Sequence, residues 1–348
     1  MKAAVLTEWQ RIELQEVPVP EIGEDECLIE VTYAGVCGSD VHIYKGHHPT
    51  AVTPVIPGHE FTGRVAKAST DLYPHLTAGT RVVAEPLISC GECAACLEGH
   101  VHVCRRLKLL GIHTDGGFAQ YIKVPAAKVI PISDVLSDRA AALAEPFAVA
   151  FHVNRQAEVR HGDRVLVVGG GPIGMVVGIV AKQSGAAKVV FTELNEDRLA
   201  VIRSFGFEGV NPQTTDVNAY AEQATDGAGF DVVFEVSGSQ PGLLSATKLC
   251  KIKGTVVLVG FPGRRPELEV MDIIFKELRV VGSRVYTLQD FKKTVRMLEE
   301  LAVEGRYRLE ALVSDTRSLE QLEEAIQTMI RGENTGKILI DYGLAQPE

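Results

Sequence analysis

The chain contains 348 residues, of which 46% are hydrophobic and 23% are charged, and its formal net charge is −10. This length exceeds the size at which a single hydrophobic core stops growing, so two domains are expected. The acidic balance opposes attraction to nucleic acid phosphates, while the N-terminal segment lacks the apolar core of a signal peptide and no apolar run approaches membrane-spanning length. We therefore expect a cytoplasmic protein that binds neither nucleic acid nor a membrane.

The first part of the chain, up to about residue 150, is predicted to form a β-rich domain. Strand-like stretches at 27–33, 61–66 and 81–84 alternate with loops that contain glycine and proline. Helical periodicity is scarce throughout this part, which indicates strands and loops as its main elements.

Two segments of this part carry metal-ligating side chains. The segments AGVCGSDVHIYKG and VIPGHEFTG supply Cys37, Ser39, Asp40, His42, His59 and Glu60. A single cysteine or histidine has an ordinary structural explanation, because cysteines are often small core residues. One thiolate, one imidazole, one carboxylate and a water together make the zinc site with an open position that catalysis requires. The combination therefore predicts a catalytic zinc site.

Four cysteines further along predict a metal site of a different kind. The segment CGECAACLEGHVHVC contains Cys90, Cys93, Cys96 and Cys104. Their short spacing lets one loop surround a tetrahedral ion, and four thiolates leave no coordination position for a substrate. We predict a structural zinc here, with a disulfide pair or an iron–sulfur cluster as alternatives.

From about residue 163 the pattern changes to apolar strands that alternate with helices. The predicted strands lie at 164–168, 189–192, 231–236, 255–259 and 279–281. Continuous valine-rich runs are typical of parallel strands that helices cover on both faces. A doubly wound α/β fold is therefore predicted for this part.

The first of these strands leads into a glycine motif. In the segment RVLVVGGGPIG, Gly169, Gly171 and Gly174 have the Gly-x-Gly-x-x-Gly spacing that allows a tight turn, the approach of a pyrophosphate and close helix packing. Glu193 ends the next strand, where a carboxylate binds the adenosine ribose and repels the additional phosphate of NADP. NAD is thus favoured, although Arg198 nearby weakens this preference. The candidate cofactor contacts are Gly169, Gly171, Pro172, Ile173, Gly174, Glu193, Arg198, Val259 and Gly260.

The last part of the chain contains an amphipathic helix at 288–303, a strand, a second helix at 319–331 and a closing strand at 337–341. Periodicity alone does not assign these elements to either domain.

The order and spacing of Cys37, His59, the four-cysteine loop and the glycine motif resemble those of the zinc-dependent medium-chain alcohol dehydrogenase family. The resemblance extends over essentially the whole chain. It implies a chaperonin-10-like catalytic domain at 1–150, an NAD-binding Rossmann domain at 151–288 and a C-terminal segment at 289–348 that completes the catalytic domain. It also implies two zinc ions per subunit, one catalytic and one structural, and assembly as a homodimer or homotetramer.

The same resemblance assigns roles to single residues. The position of the third zinc ligand, often a cysteine in the family, is Glu145 in the segment AALAEPFAVAFHV, as in the sorbitol dehydrogenase branch. Glu60 is the competing carboxylate, so the choice between the two stays open. Ser39 and His42 resemble the family's proton relay, and Asp40 is expected to accept a hydrogen bond from the ring of His59.

The expected substrate is a polyol or a sugar acid, such as sorbitol, gulonate, idonate or galactonate. Arg284 resembles an arginine near the active site of sorbitol dehydrogenases, and Tyr44 and Phe118 are further candidate substrate contacts. The stretch VCGSDVHIYKGHHP resembles bacterial hexonate dehydrogenases. The alternative substrate is L-threonine, although threonine dehydrogenases usually carry Asp where Glu145 precedes Pro146. A zinc-stabilised nucleotide-binding regulator is the non-enzymatic alternative.

Overall fold

The computed structural model of the protein describes residues 1–69 and 71–343. The chain forms two compact domains. The first consists of Met1–Glu145 and the described part of Thr287–Glu348, and the second consists of Pro146–Tyr286. An α/β domain is thus inserted into a β-rich domain, which confirms the predicted fold class.

The main sheet of the first domain has seven strands within the described residues. Its long strand Glu26–Val36 pairs antiparallel with Glu60–Ala68 on one side and with Tyr121–Pro125 and Lys337–Asp341 on the other. The other strands are Arg81–Ala84, Val129–Pro131 and Val313–Arg317. The closing strand Lys337–Asp341 therefore belongs to the main sheet of the first domain.

Smaller elements surround this sheet. Two strand pairs are formed by Lys2–Glu8 with Arg11–Glu16 and by Leu87–Ile88 with Lys108–Leu109. The helices are Gly38–Tyr44, Ala94–Leu97, Asp138–Ala141, Leu288–Glu304 and Leu322–Ile330, with short 3₁₀ turns at Val101–Val103, Ala126–Lys128, Leu309–Leu312 and Leu319–Gln321. The predicted helix at 319–331 is therefore a 3₁₀ turn followed by an α-helix.

The second domain contains a parallel sheet of six strands, counted over the residues that the structure describes. Their spatial order is Glu208–Val210, Lys188–Thr192, Arg164–Val168, Phe230–Glu235, Cys250–Leu258 and Arg279–Gly282. Val165, Val167 and Val168 are all buried, as expected for a strand covered on both faces. The strand order reverses between Arg164–Val168 and Phe230–Glu235, and open α/β sheets bind their ligands at such a reversal.

Helices alternate with these strands along the chain. They are Ala144–Ala157, which begins at the domain boundary, and Pro172–Gln183, Glu196–Ser204, Val217–Ala224, Gln240–Leu249 and Val270–Phe275. In the described part of the chain, no helix combines the length and apolar character needed to cross a membrane.

Candidate functional site

Three of the predicted catalytic metal ligands lie together in the first domain. Ligand atoms of Cys37, His59 and Glu60 all lie within 4.8 Å of one another. Cys37 is half-buried, while His59 is 4% exposed and Glu60 is fully buried. The Oε2 atom of Glu60 has no hydrogen-bond partner among the described residues. Because a buried carboxylate oxygen without a partner is costly, this donor set fits a bound cation, and its thiolate and imidazole fit zinc.

The backbone before His59 explains how this side chain reaches the buried site. Gly58 has a φ of 95°, a conformation that L side chains rarely adopt. A Cβ at this position would lie 3.0 Å from the ring and the backbone nitrogen of Phe118. Gly58 therefore allows a sharp bend that brings His59 to the start of strand Glu60–Ala68.

Asp40 links the two segments that carry the metal ligands. Its Oδ2 atom accepts a hydrogen bond of 2.8 Å from the backbone nitrogen of Cys37. Its Oδ1 atom lies 3.7 Å from Nδ1 of His59, which is too long for the predicted hydrogen bond. Burial raises the pKa of Asp40, whereas the nearby His59 opposes this effect. The other ring nitrogen, Nε2 of His59, lies 3.2 Å from Oγ of Ser39.

A buried lysine, which the sequence did not single out, completes this group. Nζ of Lys337 donates a hydrogen bond of 2.7 Å to Oε1 of Glu60. Burial alone would lower the pKa of Lys337, but the charges of Glu60, Cys37 and Glu145 outweigh burial and raise that pKa. Lys337 starts the closing strand, where the local pattern gives no signal that a lysine is buried.

Glu145 lies near the same group but is not one of the three residues whose ligand atoms come together. It is 7% exposed and stands in the first turn of helix Ala144–Ala157. Its charge contributes to raising the pKa values of both His59 and Lys337, after the larger effects of burial and of closer charges. The structure thus brings Glu60 together with Cys37 and His59. Glu145 lies outside this group but is close enough for its charge to affect the pKa values of His59 and Lys337.

The four cysteines of the loop form a second cluster. Their sulfur atoms are separated by 3.4 Å for Cys90 and Cys104, 3.5 Å for Cys93 and Cys96, 3.8 Å for Cys93 and Cys104 and 4.0 Å for Cys90 and Cys96. A disulfide needs about 2.05 Å, so no pair is bonded. Zn–S bonds of about 2.3 Å place tetrahedral sulfurs about 3.8 Å apart, which these separations match.

Hydrogen bonds to the sulfur atoms of Cys90 and Cys104 favour the binding of a cation by this cluster. The backbone nitrogens of Cys90 and Arg106 each donate to the Cys104 sulfur at 3.3 Å. A hydrogen bond from the Arg106 side chain is the main cause that lowers the pKa of the Cys90 thiol to about 6. The cluster is therefore suited to thiolate ligation of a structural zinc.

The glycine motif forms a turn between strand Arg164–Val168 and helix Pro172–Gln183 in the second domain. A Cβ on Gly174 would lie only 1.9 Å from the carbonyl oxygen of Gly169, so the helix packs as closely as the motif predicts. Pro172 and Ile173 occupy the first two positions of the helix.

Glu193 is held firmly beside this turn. Its carboxylate accepts hydrogen bonds of 2.8 Å from the backbone nitrogens of Gly170 and Leu194, and one of 2.9 Å from that of Asn195. A Cβ on Gly171 would lie 3.8 Å from the guanidinium of Arg198, so that cation also lies near the turn. The arrangement offers a fixed carboxylate where an adenosine ribose would bind.

The other predicted cofactor contacts and the two relay residues lie in a loop after a strand and on a short helix. Val259 and Gly260 follow strand Cys250–Leu258, and both backbone nitrogens donate to the carbonyl oxygen of Glu235 at 2.9 Å. Ser39 and His42 are half-buried on helix Gly38–Tyr44.

The candidate substrate residues differ in accessibility. The Tyr44 hydroxyl lies 2.9 Å from the Gln10 carbonyl and 2.6 Å from the Glu323 carboxylate, so it takes part in packing between segments of the first domain. Phe118 is fully buried and offers no surface to a ligand in this conformation. Arg284 is exposed in the second domain.

Two family descriptions match the chain. "Alcohol dehydrogenase GroES-like domain" matches residues 23–134, and "Zinc-binding dehydrogenase" matches residues 172–300. These matches cover most of the β-rich region before the second domain and most of the second domain itself.

Curated relatives resemble nearly the whole chain. A 2-dehydro-3-deoxy-L-galactonate 5-dehydrogenase of Pseudoalteromonas atlantica is 35% identical over 94% of this chain and 94% of its own. A sorbitol dehydrogenase of Halalkalibacterium halodurans is 34% identical, with coverage of 96% and 97%. An L-threonine 3-dehydrogenase of Rhizobium etli is 32% identical, with coverage of 94% for both chains.

Solved structures share the fold. A zinc-binding dehydrogenase of Sinorhizobium meliloti bound to NADP has 32% identity and a TM-score of 0.86, and 98% of each chain is covered. An alcohol dehydrogenase of Escherichia coli in complex with NADH has 29% identity and a TM-score of 0.88, with coverage of 98% of this chain and 99% of the other.

Proposed function

The chain belongs to the zinc-binding alcohol dehydrogenase family, and within it we propose that the protein oxidises a secondary alcohol of a polyol or sugar acid to a ketone, with NAD as hydride acceptor. One observation carries the proposal: donor atoms of Cys37, His59 and Glu60 converge within 4.8 Å. A regulator that only binds nucleotides has no use for a cysteine, a histidine and a glutamate whose ligand atoms converge in this way. The relatives named for a galactonate derivative and for sorbitol support the substrate class.

The metal ligands and Asp40 have different roles in this reaction. Zinc held by Cys37, His59 and either Glu60 or Glu145 would supply the Lewis acidity that lowers the pKa of the substrate hydroxyl. Asp40 fixes the backbone at Cys37 through its 2.8 Å hydrogen bond and places a carboxyl oxygen 3.7 Å from the His59 ring.

The proton of the substrate hydroxyl must leave toward solvent. Ser39 and His42 lie three residues apart on one helix, so their side chains share a face. Burial, together with the charges of His47 and Lys45, lowers the pKa of His42. His42 is therefore neutral at pH 7 and ready to accept a proton passed on by Ser39.

The preference for NAD rests on Glu193. Three backbone amides fix its carboxylate, and an anion at the ribose would repel the additional phosphate of NADP. Arg198 acts in the opposite direction, and the related structures include one with NADH and one with NADP.

The test is an assay of NADH formation across alditols, aldonates and L-threonine with zinc-loaded protein. We expect turnover with at least one alditol or aldonate, NAD preferred over NADP, and loss of turnover after Cys37→Ala. Turnover with none of these polyhydroxylated compounds would contradict the proposed substrate class.

L-Threonine is the second candidate substrate, because an L-threonine 3-dehydrogenase is among the relatives. The position of Glu145 before Pro146, where threonine dehydrogenases usually carry Asp, speaks against it. A signal with threonine alone in the same assay would replace the polyol proposal.

The proposal includes assembly with a second copy of the chain in the cytoplasm. Strand Arg279–Gly282 is an edge strand of its sheet, and the preceding helix exposes Val270, Met271, Ile274 and Phe275. Two copies pairing at this edge would cover those apolar side chains. Light scattering of wild-type protein and of the Phe275→Glu variant tests the assembly. All seven cysteines are free, which suits a reducing compartment such as the cytoplasm.

A further inference from the structure

Glu235 is a buried carboxylate at the carboxyl end of strand Phe230–Glu235. It pairs in register with Val168, the residue directly before Gly169. These two strands lie on either side of the reversal in strand order, where ligands of doubly wound sheets bind. The carboxylate thus stands beside the expected path of a dinucleotide but was not among the predicted contacts.

The carboxylate organises the turn that follows it. Its oxygens accept hydrogen bonds from the backbone nitrogen of Ser237 at 3.0 Å and from that of Gly238 at 3.1 Å. The hydroxyl of Ser237 donates to the same carboxylate. In the described residues, all the hydrogen-bond donors that reach the carboxylate are neutral, so hydrogen bonds rather than a counter-ion hold it in place.

Three loops at this end of the sheet meet around this turn. A Cβ on Gly169 would lie 3.1 Å from the Cβ and the backbone nitrogen of Ser237. A Cβ on Gly260 would lie 2.1 Å from the backbone nitrogen of Gly238. The turn at 237–238 is therefore in contact with the glycine turn on one side and with the 259–260 loop on the other, and a shift of the turn would displace both.

We propose that Glu235 is a positioning residue for NAD: its carboxylate fixes the Ser237–Gly238 turn and thereby holds the two neighbouring cofactor loops in their binding conformation. This inference rests on the proposed function, since it requires that the second domain binds NAD. Glu235 acts through the loops and not by touching the reacting atoms, so its loss should weaken cofactor binding and leave the chemical step nearly unchanged.

The strand itself provides a matched control. Asp231 lies near the opposite end of the same strand, where its carboxylate accepts a 2.7 Å hydrogen bond from the backbone nitrogen of Arg164 and contacts Lys251. Replacing it also removes a carboxylate that binds backbone, but far along the strand from the cofactor loops. Asp231→Leu therefore reports the effect of destabilising the strand alone.

The experiment measures NADH affinity by fluorescence titration of zinc-loaded full-length protein, together with KM for NAD and kcat. For Glu235→Leu we expect NADH binding about tenfold weaker, a similar rise in KM and little change in kcat, because the backbone amides of the Ser237–Gly238 turn lose their acceptor. Glu235→Gln keeps one acceptor oxygen and should restore affinity to within about threefold of wild type. Asp231→Leu should leave affinity within about twofold.

If Glu235→Leu does not fold, the Glu235→Gln variant still tests the inference. Combining Glu235→Gln with Ser237→Ala should weaken NADH binding more than Glu235→Gln does alone. Unchanged affinity in Glu235→Leu or in this double variant, or an equal loss in Asp231→Leu, would overturn the inference and leave the proposed function intact. Wild-type protein that binds no NADH would overturn both.

Discussion

Lys337 and Glu60 form a buried ion pair: the ammonium nitrogen lies 2.7 Å from Oε1 of the carboxylate, and neither side chain is more than 4% exposed. Glu60 is also one of the three residues whose ligand atoms come together with those of Cys37 and His59, and its Oε2 atom has no hydrogen-bond partner among the described residues. The Lys337 ammonium thus holds one oxygen of a carboxylate that belongs to the candidate metal site. Lys337 both orients Glu60 and offsets part of the negative charge that the ligands bring together.

Removing the cation should destabilise the first domain. Lys337→Met leaves a buried carboxylate without its partner, which costs about 3–5 kcal/mol in the free energy of unfolding. Lys337→Arg keeps the charge and should cost markedly less. Chemical denaturation of both variants checks this expectation, and a Lys337→Met protein as stable as wild type would contradict it.

The catalytic zinc should depend on Cys37. Cys37→Ala is expected to bind one zinc fewer per chain and to lose turnover, while NADH affinity changes by less than about twofold because the glycine turn belongs to the other domain. Metal analysis and NADH titration on the same sample measure both effects. Normal turnover in a variant that lacks this zinc would refute the assignment. Comparing Glu60→Gln with Glu145→Gln in the same analysis identifies the carboxylate ligand.

The four-cysteine cluster should contribute to stability rather than to chemistry. Cys104 accepts two backbone hydrogen bonds at 3.3 Å and lies 3.4 Å from the Cys90 sulfur. The Cys104→Ala variant should therefore lack the structural zinc and unfold at a lower temperature than wild type. The fraction of this variant that is folded should keep the NADH affinity of wild type. Calorimetry with metal analysis tests this, and full zinc content in Cys104→Ala would speak against the site.

The rate of alcohol oxidation should depend on the protonation of His42. Because burial lowers its pKa below the ordinary value of 6.5, the neutral, proton-accepting form is present at pH 7 and is lost as the pH falls through that lowered pKa. The wild-type rate should accordingly decline on the acidic side. His42→Gln should reduce kcat by about a hundredfold, and added imidazole should restore part of it. A pH profile of His42→Gln that matches wild type would exclude the relay.

Cofactor choice should follow the charge of Glu193. Glu193→Gln removes the negative charge but keeps an oxygen for the backbone amides, so the preference for NAD over NADP should narrow by about tenfold. Arg198→Ala should widen that preference, because it removes the cation beside the turn. The ratio of kcat/KM values for the two cofactors measures both effects, and no change in either variant would assign the selection to other residues.

The sequence predicted those parts of the fold that local pattern determines. Strands 164–168 and 337–341 appear with the predicted bounds, because valine- and isoleucine-rich runs flanked by turn residues are strong local signals. The edge strand Glu208–Val210 was missed, since three residues with glycine in the middle carry no periodicity. The predicted helix at 319–331 begins with a 3₁₀ turn that periodicity does not distinguish from an α-helix.

Of the candidate site, the ligand types and the proximity of Asp40 to His59 were predictable, but the buried lysine beside Glu60 was not. Cys37, His59 and Glu60 were recognisable by residue type and spacing, and they do come together. Lys337 looks like an ordinary lysine at the start of a strand, because its partner Glu60 lies 277 residues away in the sequence. Glu235 was missed for a similar reason: its function as an acceptor emerges only when three loops meet at one end of the sheet.

The position of the closing strand has a consequence for biosynthesis. Residues 337–341 are translated after the entire second domain. They nevertheless pair with strand Glu26–Val36 of the first domain and contain Lys337, the cation that pairs with Glu60. The inserted domain is complete before this strand is synthesised and is therefore able to fold first, whereas the first domain stays incomplete until residues 337–341 have been translated. A polypeptide truncated before this strand would retain the glycine turn but would leave the metal-binding half unassembled and exposed to proteases.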